Sequence, residues 1–182
     1  GIRLKKILLV VDVQKGFTRH SNTIEITEKI KELLDKNYFD YVIGTKFYND
    51  KNSIYVKAMN WNKLIEENDT DLVEGLEERL DEVVNKNLYS CINPSFIQRL
   101  SQINDGKVPE KVYILGIDTD CCVLKIGVDL FESGILPVVL TNYSSSTGGL
   151  ESHKAGISCL SRLVGRKQII ERDIEKIDDL DI

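Results

Sequence analysis

The sequence predicts an α/β fold: a parallel sheet covered by helices on both faces. Short apolar runs alternate with helical patterns from one end of the chain to the other. The runs carry no in–out alternation, so they read as strands buried on both sides. With 182 residues, 42% hydrophobic and 29% charged, the chain has the size and composition of one domain with a substantial core.

Taken in order, residues 6–11 are a first strand. Ile26, Ile30, Leu33 and Leu34 then mark one face of a helix at spacings of four, three and one. Residues 41–45 are a second strand. Residues 47–70 are polar and irregular and predict a long surface loop that carries Trp61, the only tryptophan. A short helix is expected over 72–80 and a short third strand over 82–85. Asn93 and Pro94 place an N-cap and a first-turn proline ahead of a helix whose face is Phe96, Ile97, Leu100 and Ile103. A fourth strand covers 112–115 and ends at Gly116. Asp120 stands where an N-cap is expected before Val123, Leu124, Gly127, Leu130 and Phe131. A fifth strand at 136–140, a Ser/Gly loop at 144–149, a helix at 150–164 and a strand at 168–170 complete the alternation. The acidic tail 171–182 is expected to be peripheral, with Ile174, Ile177 and Leu180 forming at most one last turn.

Composition narrows the function. A net charge of −5 argues against nucleic acid and anionic membranes, which are bound through basic faces. No apolar run approaches the ~20 residues of a membrane span, and 7–11 is too short for a signal-peptide core. A cytoplasmic location is the simplest expectation. The cysteines at 91, 121, 122 and 159 form no C-x-x-C and no zinc-type spacing, so free thiols are expected. A strained vicinal disulfide at Cys121–Cys122, acting as a redox switch, is the less favoured alternative.

In open parallel sheets ligands bind beyond the C-terminal strand ends, where strand order reverses. Asp12 follows the first strand, Lys86 the third and Cys122 the fourth. A thiol in the first turn of a helix meets unpaired N–H groups and partial positive charge, which favour the thiolate. Asp12 would take the thiol proton, Lys86 would hold the charges, and helix N–H groups would bind a developing oxyanion. Taken singly, each residue has a plainer reading: an Asx turn, a solvated lysine, a small buried thiol.

The segments Asp12-Val-Gln14-Lys-Gly-Phe17, Lys86 with Tyr89-Ser90, and Gly116-Ile-Asp-Thr119-Asp120-Cys-Cys122-Val123 resemble the isochorismatase-like cysteine hydrolases. This superfamily includes nicotinamidases, carbamoylsarcosine amidases and isochorismatases. The resemblance runs from about residue 5 to 170 and includes His153 before an apolar helix. It implies a Rossmann-like, three-layer α-β-α sandwich with a six-stranded parallel sheet, and an Asp12-Lys86-Cys122 triad. It also implies a cis peptide at Ile117–Asp118, turning one N–H toward the oxyanion beside the Cys122 N–H. Phe17 would line the pocket and Trp61 would close it. Family members are often dimers or tetramers, so a homo-oligomer is expected.

The sequence also departs from the family. Nicotinamidases usually carry Asp-x-His after the second strand to bind a metal; here the stretch is Thr45-Lys-Phe47-Tyr-Asn49, and no histidine lies between His20 and His153. No metal or other cofactor is therefore expected. Asp118 stands where a small residue is usual, and Asn142 near a usual Asp. The expected activity is metal-independent hydrolysis of an amide or ureido C–N bond of a small molecule through a thioester. One alternative is vinyl-ether hydrolysis of the isochorismatase type, with Arg19 and Lys46 as candidate cations for a dicarboxylate. Another is a silent binding or assembly protein on the same fold. A Cys122–His153 dyad is less favoured than Asp12 as base.

Overall fold

The computed structural model describes residues 4–182. Its strands are β1 (Ile7–Val11), β2 (Tyr41–Phe47), β3 (Glu82–Lys86), β4 (Lys111–Ile117), β5 (Leu136–Ser145) and β6 (Ile169–Ile170). They form one all-parallel sheet in the order β3-β2-β1-β4-β5-β6. The order reverses between β1 and β4, so the crevice for a ligand opens where these two strands end.

The helices are α1 (Ser21–Asp35), α2 (Ile54–Met59), α3 (Glu67–Thr70), α4 (Pro94–Ile103), α5 (Cys122–Glu132) and α6 (Leu150–Val164). The strands have two buried faces and therefore two cores. From β1, Ile7, Leu9 and Val11 pack with Leu100, Ile126 and Leu160 of α4, α5 and α6. Leu8 and Val10 pack on the other side with Ile26, Ile30 and Leu33 of α1. Each fully buried leucine or isoleucine contributes roughly 1.5–3 kcal/mol. The same burial explains why the strands read as continuous apolar runs.

Several elements differ from expectation. The 47–70 stretch is not a plain loop but carries α2 and α3. Residues 72–80 form turns with one 3₁₀ turn, Glu77–Arg79, and Gly75 sits at φ +84°, a left-handed conformation that a continuous helix does not use. β4 runs on to Ile117 and β5 to Ser145, past the expected ends, through a register shift between Ile114 and Gly116. Gly116 makes that possible: it lies at φ +129°, and a Cβ there would sit 2.3 Å from Val11 O. The tail is not peripheral. Ile174 and Leu180 are fully buried, Tyr113 Oη donates to Leu180 O, and Ile177–Leu180 forms a 3₁₀ turn.

Candidate active site

Asp12, the residue after β1, has φ +51°, which aims its side chain back across the strand ends. Its carboxylate is fully buried and engaged on both oxygens. Thr45 Oγ1 of β2 donates to Oδ1 at 2.7 Å, and Lys86 Nζ of β3 donates to Oδ2 at 2.7 Å. Lys86 also reaches Leu88 O at 3.0 Å and Cys122 Sγ at 3.5 Å. The structure thus brings Asp12, Lys86 and Cys122 to one buried point beyond three strands that are distant in sequence. Burial alone would depress the Lys86 ammonium, but the Asp12 carboxylate and Cys122 outweigh it and hold the ammonium above its ordinary value.

The thiol behaves differently from the expectation for a helix start. Burial, then the Asp12 carboxylate, push Cys122 well above its ordinary value, with Lys86 opposing them. Burial and the neighbouring Asp12 thus act against the thiolate that a helix start would favour. Cys121 and Cys91 are also pushed up, each to about 12, chiefly by burial. All four cysteines are free.

Ile117–Asp118 is a cis peptide. The loop after it folds back on itself, with Cys121 N and Val123 N both donating to Asp118 O at 3.1 Å. The N–H groups of Asp118 and Cys122 make no hydrogen bond among the described residues. Asp120 is not the N-cap; Cys121 is, and Asp120 Oδ1 instead accepts from Ser146 Oγ at 2.7 Å. The loop is backed by α6, where Gly156 admits Asp120 and Thr119 to within 2.9 Å of the place a Cβ would occupy. His153 does not approach the thiol through a hydrogen bond; its Nδ1 lies 2.6 Å from Thr119 Oγ1, so it braces this loop.

A cavity of about 240 Å³ opens onto Cys122. Phe17 and Trp61 both line it, with rings stacked 6.1 Å apart at 12°. Phe47, Tyr55 and Tyr89 extend the aromatic wall, and Tyr55 contacts Phe47, Trp61 and Tyr89 at 5.2–6.1 Å. Lys86 Nζ lies 5.0 Å from the centre of the Phe47 ring. Asp118, Cys121, Thr147, His20 and Lys63 supply the polar lining. Neither Arg19 nor Lys46 lines the cavity: Arg19 pairs with Asp69, and Lys46 lies over the Tyr48 ring.

Tyr55 and Thr147 are absent from the residues named from sequence, and Thr45, Phe47 and Tyr89, though quoted there within motif stretches, are given no role at the site. Two of them carried a signal. Ile43, Thr45 and Phe47 alternate along β2, which puts them on the same face as the core around Cys122. Gln14, from the first motif, is structural: it is fully buried and clamps Phe47 N and O and Thr70 O at 2.8–2.9 Å.

The isochorismatase domain model matches residues 6–167. The chain belongs to the isochorismatase family. Its members are hydrolases, and this chain is one by membership. Among solved structures, this isochorismatase-family chain is similar to the nicotinamidase of Bacillus subtilis at 20% identity, covering 92% of this chain and all of that one, with a TM-score of 0.77. It is similar to an isochorismatase-like hydrolase of Alkaliphilus metalliredigens at 17% identity, 88% and 92% coverage and TM-score 0.75. It is also similar to the pyrazinamidase of Pyrococcus horikoshii, solved in complex with zinc, at 18% identity, 92% and 99% coverage and TM-score 0.72. At these identities the likeness concerns the fold. No curated protein matches by sequence.

The residues after β2 do not fit a zinc ion. Phe47 offers only a ring, and Asn49 Nδ2 is committed to Trp61 O and Lys63 O at 3.0 Å. Asn49 Oδ1 is buried without a partner, but one neutral amide oxygen is not a zinc ligand set. In this family member the place is an aromatic wall instead.

Proposed function

We propose that the protein hydrolyses an amide or ureido C–N bond of a small molecule through a Cys122 thioester, without a metal. The observation that carries this reading is the single Lys86 ammonium within reach of both the Asp12 carboxylate and the Cys122 sulfur.

The chemistry follows from the groups. A substrate carbonyl carbon meets Cys122 Sγ, and Asp12 takes the thiol proton as the S–C bond forms. A buried thiol need not ionise beforehand, because the base lies beside it. The carbonyl oxygen gains negative charge and is met by the free N–H groups of Asp118 and Cys122. The tetrahedral intermediate collapses as the C–N bond breaks. Asp12 returns its proton to the departing nitrogen. Water then attacks the thioester, Asp12 accepts its proton, and that proton passes to the sulfur as the acid leaves. Lys86 stays an ammonium throughout and offsets the charge moving between Asp12 and Cys122. Arg19 and Lys46 do not line the cavity, and its Lys63 and His20 are exposed, so a dicarboxylate vinyl ether finds no buried cationic pair, which favours the amide reading.

The test is ammonia release from a panel of small primary amides and ureido compounds, with the protein trapped by acid during turnover. A mass increase confined to Cys122, absent in Cys122→Ala, supports the reading. Turnover that survives in Cys122→Ala overturns it.

A further inference from the structure

We propose that Asp118 is the recognition group for a positive charge on the substrate, so that the preferred substrates are amides with a cationic group close to the scissile carbonyl. The inference rests on reading the Cys122 cavity as the substrate site.

Asp118 lines that cavity together with Cys122. Its carboxylate is held in one orientation: Thr147 N donates to Oδ1 at 2.9 Å and Thr147 Oγ1 to Oδ2 at 2.7 Å. Each oxygen can accept a second hydrogen bond. Both donors are neutral, and no lysine, arginine or histidine forms an ion pair with Asp118 among the described residues. A half-buried carboxylate without a cationic partner is costly, and an incoming cation removes that cost. The surroundings sharpen the demand. Burial, then Asp120 and Asp12 among the charges, raise the Asp118 carboxyl, while Lys86 is already committed to Asp12.

The aromatic lining of the cavity suits the same ligand. Phe17, Phe47, Tyr55, Trp61 and Tyr89 present rings, and aromatic faces attract cations. Lys63 is the opposing charge; it is exposed at the mouth, as is His20. The placement also matters for chemistry. The oxyanion would form at the N–H of the same residue that carries the carboxylate, and two adjacent negative charges repel. A substrate cation lying between them neutralises that repulsion in the transition state.

The experiment uses three primary amides of similar size: (trimethylammonio)acetamide, its neutral isostere 3,3-dimethylbutanamide, and malonamate. Dissociation constants are measured calorimetrically on the Cys122→Ala protein, so that binding is read whether or not the amidase chemistry holds. The cationic amide is expected to bind about tenfold more tightly than the neutral one, and malonamate more weakly than either. In the double variant carrying Asp118→Asn as well, the cationic-to-neutral ratio is expected to fall toward one. Asparagine can keep both Thr147 contacts, so the loop retains its form. Equal binding of the cationic and neutral amides, or a ratio unmoved by Asp118→Asn, overturns the proposal. Selective cation binding without ammonia release from the wild type would uphold it and count against the amidase reading alone.

Discussion

Thr45 Oγ1 donates to Asp12 Oδ1 at 2.7 Å and accepts from Asp12 N at 3.1 Å, so one hydroxyl fixes both the side chain and the backbone of the candidate base. Asp12 needs this because it sits in the left-handed region, where a residue without such support relaxes to another conformation. Replacing Thr45 by Val keeps the shape and removes the hydroxyl's hydrogen bonds. Asp12 N keeps its hydrogen bond to Thr45 O at 3.2 Å, but Asp12 Oδ1 loses its Thr45 donor, and leaving a buried polar atom unpaired costs about 1–3 kcal/mol. Once a substrate is in hand, kcat is expected to fall about tenfold or more with KM little changed. An unchanged kcat would show that Asp12 is positioned without Thr45.

The raised Cys122 thiol predicts its behaviour toward alkylating reagents. Iodoacetamide is expected to label the exposed Cys159 first at pH 7, with Cys122 following slowly and accelerating as pH rises, without a plateau below about pH 9. Lys86→Met removes the charge that favours the thiolate and should slow Cys122 further at every pH. Peptide mass spectrometry resolves the sites. A plateau in Cys122 labelling below pH 8 would mean that the helix terminus, not burial, controls the thiol.

Gly156 tests the support, from behind, of the loop that follows the cis peptide. A methyl group there would lie 2.9 Å from the Asp120 backbone and from Thr119 C, distances that require one side to move. Gly156→Ala is expected to cost about 1–3 kcal/mol in urea unfolding. It should also lower kcat more than KM, because the displaced segment carries the N–H groups of Asp118 and Cys122. Full activity at reduced stability would separate this contact from the chemistry.

His153 gives a pH signature. Burial holds its imidazole below its ordinary value of 6.5, against the opposing pull of Asp120 and Glu171. Its folded value lies below its unfolded one, so the unfolded chain binds the proton more readily. The resulting stability is present above about pH 6.5 and is lost as pH falls through the lower, folded value. Urea midpoints measured from pH 7.5 to pH 5 should therefore fall more steeply for the wild type than for His153→Gln. Parallel curves would remove His153 as a source of acid sensitivity.

Much of the frame was legible because its signals are local. Apolar runs such as 7–11 mark strands buried on both faces, and the chemistry-bearing residues stand directly after them. Elements whose signals are not local were missed. α2 and α3 span six and four residues, too few to repeat a 3.6-residue pattern. Tyr55, Phe47 and Tyr89 come from three separate stretches and converge only when β2 and β3 pair. Asp120 resembles a cap in sequence, but its carboxylate is drawn off by Ser146, which reaches it only in the folded sheet. For the thiol, the helix terminus is visible in sequence, while the burial that opposes it is a tertiary property.

The order of the strands sets when these residues can first meet. Asp12 and Lys86 are both synthesised well before β4, yet β4 must lie against β1 before Cys122 reaches either of them. Closing so long an intervening segment is entropically slow and is rewarded only when the central pairing forms. A chain that has folded only through β3 holds a base and a cation without a nucleophile, and is chemically inert. Turnover at Cys122 would therefore report that β4 has docked on β1, which makes the site a built-in indicator of the sheet's central long-range pairing.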